Sequence, residues 1–333
     1  MNDIIKSKSK FMRNMQSQIF TYLDRSSPYI PLKFQYIGKG AQRWEELTKY
    51  EEFISQDECK LLKNSAEDIA HRLKRLHPKL KSLRVVDIGC GTGKKAFILL
   101  KCFKKFFPKV KFKYYPLDIS EDMLSIAIKE ISKLDISLPK KKLRKYLIDF
   151  ETELLAPKIR ENRKKRTVDF LLFLGNTLGN VENPDSLVEK IKESMRPKMD
   201  LFLLEVELPP NSSLEKERLM KIYNSEFNIK FISTALEYFG ISPVQLNKKG
   251  CGKIITEFKN SQLQQYFQFI KEKKISLSTG ESIKFNKGSK ILLARSRRFS
   301  CKEIEDLLME KNLEVIKIYK RKFSSLFLSW RCK

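Results

Sequence analysis

An α/β fold, built on a doubly wound parallel sheet and interrupted by an inserted α+β domain, is the architecture this sequence predicts. Three observations carry it. Strand-like and helix-like stretches alternate from about Leu83 to Glu207; the alternation breaks after Pro209–Pro210; and a helix followed by a two-strand hairpin closes the chain after Ser300.

The elements follow in order. Leu83–Gly89 (LRVVDIG) reads as a buried strand, and Lys94–Phe106 as a helix with Phe97, Leu100, Phe103 and Phe106 at helical spacing, ending before Pro108. KFKYYPLD (Lys111–Asp118) is the second strand, and Ser120 is placed to cap the helix behind it. RKYLIDF (Arg144–Phe150) reads as a third strand, and VDFLLFLG (Val168–Gly175) as a fourth, almost wholly apolar as for a strand covered on both faces. After a helix around Pro184–Met195, DLFLLEVE (Asp200–Glu207) is the fifth. From about Asn211 to Leu293 a helical start gives way to short strand-like pieces (KIITEF, KKISLS, ESIKF, KILLARS). Cys301–Lys311 is the last helix, and LEVIKIYKR and SSLFLSWRC form the closing hairpin. One domain is therefore expected over 58–208 and 300–333, and a second over 1–57 and 209–299. Right-handed crossovers would put a ligand at the carboxyl ends of the strands.

Composition narrows the partners. No stretch of the 333 residues approaches the ~20 apolar positions a membrane span needs, and MNDIIKSKSKFMRN lacks the apolar core of a signal peptide, so a cytoplasmic protein without a membrane partner is expected. The six cysteines stand far apart, with two histidines beside them, which suits neither a zinc site nor a disulfide framework. A net charge of +27 invites nucleic acid, but its runs (KSKSK, KKKLRK, RENRKKR) are scattered, so a solvated surface is favoured over a nucleic-acid groove.

The informative stretch is VVDIGCGTG. Gly89, Gly91 and Gly93 follow the first strand, where the chain must turn sharply and a ligand must approach bare backbone. The spacing departs from the G-x-G-x-x-G of nicotinamide and flavin enzymes, since Lys94 stands three residues after Gly91. Asp118, at the end of the second strand, has two acceptor oxygens and no donor, which suits both hydroxyls of a ribose. With Asp87 in the loop, this pattern resembles the S-adenosyl-L-methionine site of class I methyltransferases, whose Rossmann-like sheet also ends in an antiparallel hairpin.

A closer resemblance lies in FLLFLGNTLGNVENP (Phe170–Pro184), YIGKGAQRWEELTKYEEF, YYPLDIS, IDFE, YNSEFN and GSKILLARSRRFS. In this order they resemble the histidine-specific methyltransferases of ergothioneine biosynthesis, over most of the chain. The resemblance implies that Tyr36, Gly89, Lys95, Asp118, Asp149 and Phe150 contact the cofactor, with Lys95 on its carboxylate and Asp149 and Phe150 at the adenine. It implies likewise that Gly175, Asn180 and Tyr223 hold the amino and carboxylate groups of an amino acid, with Ser296 in the last substrate block. Two departures touch the acceptor. Ala294 stands where the family has a glutamate that grips imidazole, and Phe53 where it has a tyrosine. The function implied is methyl transfer to the amine of an amino acid or related small molecule. A nucleic-acid or protein target and a silent cofactor-binding module are the alternatives. No general base is assigned; Glu205 and Glu207, at the end of the fifth strand, are candidates by position only, and salt-bridged surface carboxylates are the favoured reading.

Overall fold

The computed structural model describes residues 2–50, 55–138, 143–161, 163 and 167–332. They form two compact units, Met1–Tyr50 with Asn211–Ser296, and Glu51–Pro210 with Arg297–Lys333. Along the chain, α1 (Asn2–Leu23) and α2 (Lys39–Lys49) belong to the smaller unit. The larger unit follows with α3 (Ser55–Leu76), β1 (Ser82–Ile88), α4 (Lys94–Phe106), β2 (Lys111–Leu117), α5 (Glu121–Ile131), α6 (Leu155–Arg160), β3 (Val168–Phe173), α7 (Pro184–Ser194) and β4 (Leu201–Glu207). The smaller unit resumes with α8 (Ser213–Tyr223), α9 (Glu226–Ile232), α10 (Thr234–Glu237), β5 (Gly252–Lys259), β6 (Gln262–Phe269), β7 (Lys273–Ser276), β8 (Ser282–Phe285) and β9 (Lys290–Arg297). Finally α11 (Cys301–Glu310), β10 (Leu313–Lys320) and β11 (Ser324–Arg331) return to the larger one.

The sheet of the larger unit has the order β10-β11-β4-β3-β1-β2. Strands β4, β3, β1 and β2 are parallel, and β11 runs antiparallel to both β4 and β10. Alternation along each strand feeds two cores. Leu83, Val85, Phe170, Leu172, Leu201 and Leu203 pack with α3, α4 and α5, whereas Val86, Ile88, Leu171, Phe173, Phe202 and Leu204 pack with α6, α7 and α11. Helices on both faces are why apolar residues predominate on both sides of these strands. Ser120 caps α5 by accepting from the Met123 N–H at 3.3 Å, and Ser300 with Glu303 forms a full capping box on α11.

One expected strand is absent from the described residues. Arg144–Phe150 overlaps a short 3-10 turn over Leu143–Tyr146 and has a single bridge, Asp118–Leu147, just past the end of β2, beside the Tyr115–Tyr146 ring contact at 4.9 Å. A second single bridge, Lys113–Ser137, covers the same outer edge of β2. An edge strand gains pairing on one side alone, and two single bridges do not make a continuous ladder.

Near the amino ends of β1 and β3, Arg84 is 2% exposed and ion-pairs with Asp169 at 2.8 Å, while Arg163 reaches the same carboxylate at 2.6 Å. In the smaller unit, β5, β6 and β9 form one sheet and β7 and β8 another. The Ile30 N–H donates to Leu292 O at 2.8 Å, which ties the amino-terminal segment to β9. Among the described residues no helix is long and apolar enough to cross a membrane, and all six cysteines are free thiols.

Candidate functional site

The loop after β1 is held from beneath, because the N–H groups of Gly89 and Cys90 both donate to Leu117 O, at 2.8 and 3.1 Å. Its glycines serve different ends. At Gly93 (φ +72°) a Cβ would lie 2.9 Å from Ala127 Cα, so the absence of a side chain lets α4 and α5 pack. At Gly89 (φ +66°) a Cβ would meet the Phe150 ring at 3.5 Å and the Thr177 methyl at 3.8 Å. Bare backbone thus lies beneath an aromatic ring, and Phe150 is itself braced edge-on by Phe173 at 5.7 Å.

Asp118 stands at the end of β2 facing this loop. Its carboxylate accepts from the Gly91 N–H at 3.1 Å and from the Ser120 N–H at 3.0 Å. Burial pushes it up to about 6, against the pull of those two N–H groups. Asp87 accepts from the Tyr114 hydroxyl at 2.7 Å, and burial raises it to about 7. Asp87, Gly89, Gly91, Asp118 and Phe150 are therefore brought together. Asp149, one residue before Phe150, accepts from the Glu151 N–H at 3.2 Å and so shapes the turn that carries the ring.

Lys95, in the first turn of α4, lies 2.6 Å from Glu58 of α3 and 2.6 Å from Glu205 of β4. Glu205 also accepts from the Gly175 N–H at 2.8 Å. A Cβ on Gly175 (φ +83°) would come 3.0 Å from Lys95 Nζ, so that glycine keeps the main chain open beside the ammonium. Burial lowers the Lys95 pKa, but the two carboxylates outweigh it and the net shift is upward. Burial raises Glu205 to about 7, less the opposing effect of Lys95.

The segment after β3 turns through Asn176 (φ +55°), whose side chain takes the Glu207 N–H at 3.0 Å and donates to Arg297 O at 3.1 Å. Asn180 follows this turn, its N–H donating to Thr177 O at 3.1 Å. Glu205 and Glu207 are not the surface carboxylates expected from sequence. Both are buried, and Glu207 pairs with the buried Arg298 at 2.6 Å. The reason is that both faces of β4 lie inside the sheet sandwich, so an acid there must find a cation.

Within the smaller unit, the Tyr223 hydroxyl lies 3.4 Å from Ser296 Oγ, so two of the predicted substrate residues meet. The carbonyl of Tyr223 accepts from the side-chain amides of Asn228 and Gln265, each at 2.8 Å. Tyr36 packs its ring against Phe231 at 5.0 Å and Trp44 at 5.3 Å. Ala294 is buried on β9, and Phe53 lies outside the described residues.

Sequence reasoning missed Glu58 and Asn176. Glu58 sits on a helix with no motif around it, and only the acid inside the apolar run DLFLLEVE signals that a buried cation and its partners are near. Asn176 lay within the quoted motif, but its left-handed backbone was not legible there.

Comparison with known proteins follows this geometry. Residues 15–330 match the family model described as "Histidine-specific methyltransferase, SAM-dependent". A curated relative, "Ergothioneine biosynthesis protein 1" of Schizosaccharomyces pombe, is 32% identical over 103 residues, which is 31% of this chain and 13% of that protein. Among solved structures, a SAM-dependent methyltransferase from Anabaena variabilis is 14% identical, with 87% of this chain and 94% of that one covered at a TM-score of 0.40. An amino pentose methyltransferase of calicheamicin biosynthesis from Micromonospora echinaspora, solved with SAM, is 13% identical, with 81% and 91% covered at 0.38.

Proposed function

Because this chain belongs to the histidine-specific, S-adenosylmethionine-dependent methyltransferase family, we propose that it transfers a methyl group from that cofactor to the amine of an amino acid or a related small molecule. The observation that carries the reading is Asp118 bound to the Gly91 N–H across a glycine loop whose backbone lies bare beneath Phe150. An ionised carboxylate has two acceptor oxygens and no donor, which suits Asp118 to a pair of ribose hydroxyls. Phe150 offers a flat apolar face for adenine, and Gly89 and Gly91 offer main chain without side chains in the way.

When bound, the cofactor supplies an electrophilic methyl carbon on its sulfonium. The residues of the chain orient and dehydrate the reactants. Gly175, Asn180 and Tyr223 are assigned to the acceptor's amino and carboxylate groups and Ser296 to the substrate set, and Tyr36, Asp87, Gly93, Lys95 and Asp149 complete the cofactor set. Most of the acceleration comes from holding the amine in line, since well-oriented reactants can gain about 7–11 kcal/mol. The description of the matched family as histidine-specific supports an amino-acid acceptor. Ala294 argues that the acceptor differs from histidine, because a missing hydrogen-bond partner costs about 1–3 kcal/mol, enough to change which substrate wins.

A panel of amino acids assayed by methyl release tests the reading, with the native chain and Ala294→Glu side by side. The native chain should methylate a member of the panel, and Ala294→Glu should raise activity on histidine. If neither form methylates any member, the small-acceptor reading falls.

A further inference from the structure

Tyr223 is the last residue of α8, so its carbonyl is one of the four that no N–H of that helix reaches. Two carboxamides reach it instead, Asn228 Nδ2 of α9 and Gln265 Nε2 of β6, each at 2.8 Å. Both side chains are buried, Gln265 completely. Asn228 Nδ2 also donates to Gln265 Oε1 at 2.9 Å, and Gln265 Nε2 to Thr256 Oγ1 at 3.1 Å, whose hydroxyl donates to Asn224 Oδ1 at 2.7 Å. The buried face of β6 is otherwise apolar, with Leu263, Phe267 and Phe269. A carboxamide in that row is costly unless it is matched, and here the Gln265 nitrogen has two acceptors and its oxygen a donor.

The helix so gripped is weakly packed, with Leu219 and Ile222 as its buried residues. At the far end of the Tyr223 side chain, the hydroxyl lies 3.4 Å from Ser296 Oγ on β9, and β9 is the neighbour of β6 in its sheet. The two ends of one tyrosine are thus referred to adjacent strands, the carbonyl to β6 and the hydroxyl to β9. We propose that Gln265 is a positioning residue of the acceptor site, which by fixing the main chain of Tyr223 sets where its hydroxyl stands against Ser296 and how tightly the amino acid is held. Side chains that touch a ligand keep their geometry only when a supporting layer of hydrogen bonds locks them. The inference rests on the proposed assignment of Tyr223 and Ser296 to the acceptor, and it adds a residue from a strand that carries none of the sequence motifs.

Steady-state kinetics on the full chain, with the amino acid that the native chain methylates fastest, test the proposal. Gln265→Met keeps the length of the side chain and removes its hydrogen bonds; Thr256→Val, at a half-buried position, removes only the acceptor that steadies Gln265. Gln265→Met should raise the KM for the amino acid about tenfold and leave kcat within about twofold, because a contact that holds ground state and transition state alike moves KM alone. Thr256→Val should raise KM about threefold. By calorimetry both should bind S-adenosylhomocysteine, the demethylated cofactor, as the native chain does, which also reports that they are folded. Added to Tyr223→Phe, Gln265→Met should raise KM little further, since both act through one hydroxyl. Unchanged KM in Gln265→Met and Thr256→Val, loss of S-adenosylhomocysteine binding in both, or losses that simply add in the double variant would each overturn the positioning role and leave the acceptor reading standing. A native chain that methylates no amino acid, or a Tyr223→Phe variant with native KM, overturns the assignment of Tyr223 and the proposal with it.

Discussion

Asp118 couples the proposed ligand to pH. Its carboxyl lies at about 6 in the folded chain, above its ordinary 3.8, because burial outweighs the N–H groups that favour the charged form. The folded chain therefore holds this proton more tightly than the unfolded chain does. The stability it contributes is present below pH 3.8 and is lost as pH rises through about 6. Ribose hydroxyls, by contrast, prefer the ionised carboxylate. Affinity for S-adenosylhomocysteine should strengthen as pH rises through about 6, and Asp118→Asn should flatten that limb and weaken binding by about tenfold. Asp87 and Glu205, each near 7, titrate in the next window, so the difference between native and Asp118→Asn profiles is the quantity to read. Identical profiles would remove Asp118 from the ribose.

Single residues differ in how far the sequence revealed them. Asp118 and the three glycines were legible because a strand end, a tight turn and an acid at the next strand end form a local pattern. Lys95 was singled out through the family resemblance as a cofactor contact, but its clamp between Glu58 and Glu205, which spans 37 and 110 residues of sequence, was not legible. No local pattern encodes a contact of that separation.

Elements constrain one another at the glycine loop. The left-handed backbone at Gly93 costs a residue with a side chain about 1–2 kcal/mol, and a Cβ there would press on α5 at Ala127. Gly93→Ala should therefore lower stability by about 2–4 kcal/mol, measured by urea denaturation, because the overpacking adds to the strain. A loss below 1 kcal/mol would show that α5 yields readily. The strands and helices of the larger unit were legible from alternation and capping residues, as Ser120 on α5 illustrates. Arg144–Phe150 was not, since its β-like composition matched a strand while its edge position left it one bridge just past the end of β2. Pairing at an edge depends on neighbours that composition does not report.

At the scale of the molecule, charge is concentrated where it is paired as well as spread where it is not. The net charge of +27 describes solubility and encounter, whereas the buried Arg84–Asp169–Arg163 group describes folding. Asp169→Ala leaves Arg84 buried without its carboxylate and should cost about 3–5 kcal/mol in urea unfolding. The same variant should bind S-adenosylhomocysteine normally, because Arg84 and Asp169 lie near the amino ends of their strands and the glycine loop follows the carboxyl end of β1. A coupled loss of affinity would show that the two ends of the sheet communicate.

By itself the sequence determined the α/β alternation, the closing hairpin, the glycine loop and the acid that follows the second strand, since each is written in residues close along the chain. Tertiary structure alone decided that Glu205 and Glu207 are buried, that Glu58 joins Lys95, and that Gly93 serves helix packing. These outcomes depend on which distant surfaces exclude water from a side chain, and exclusion of water is a property of the assembled layers.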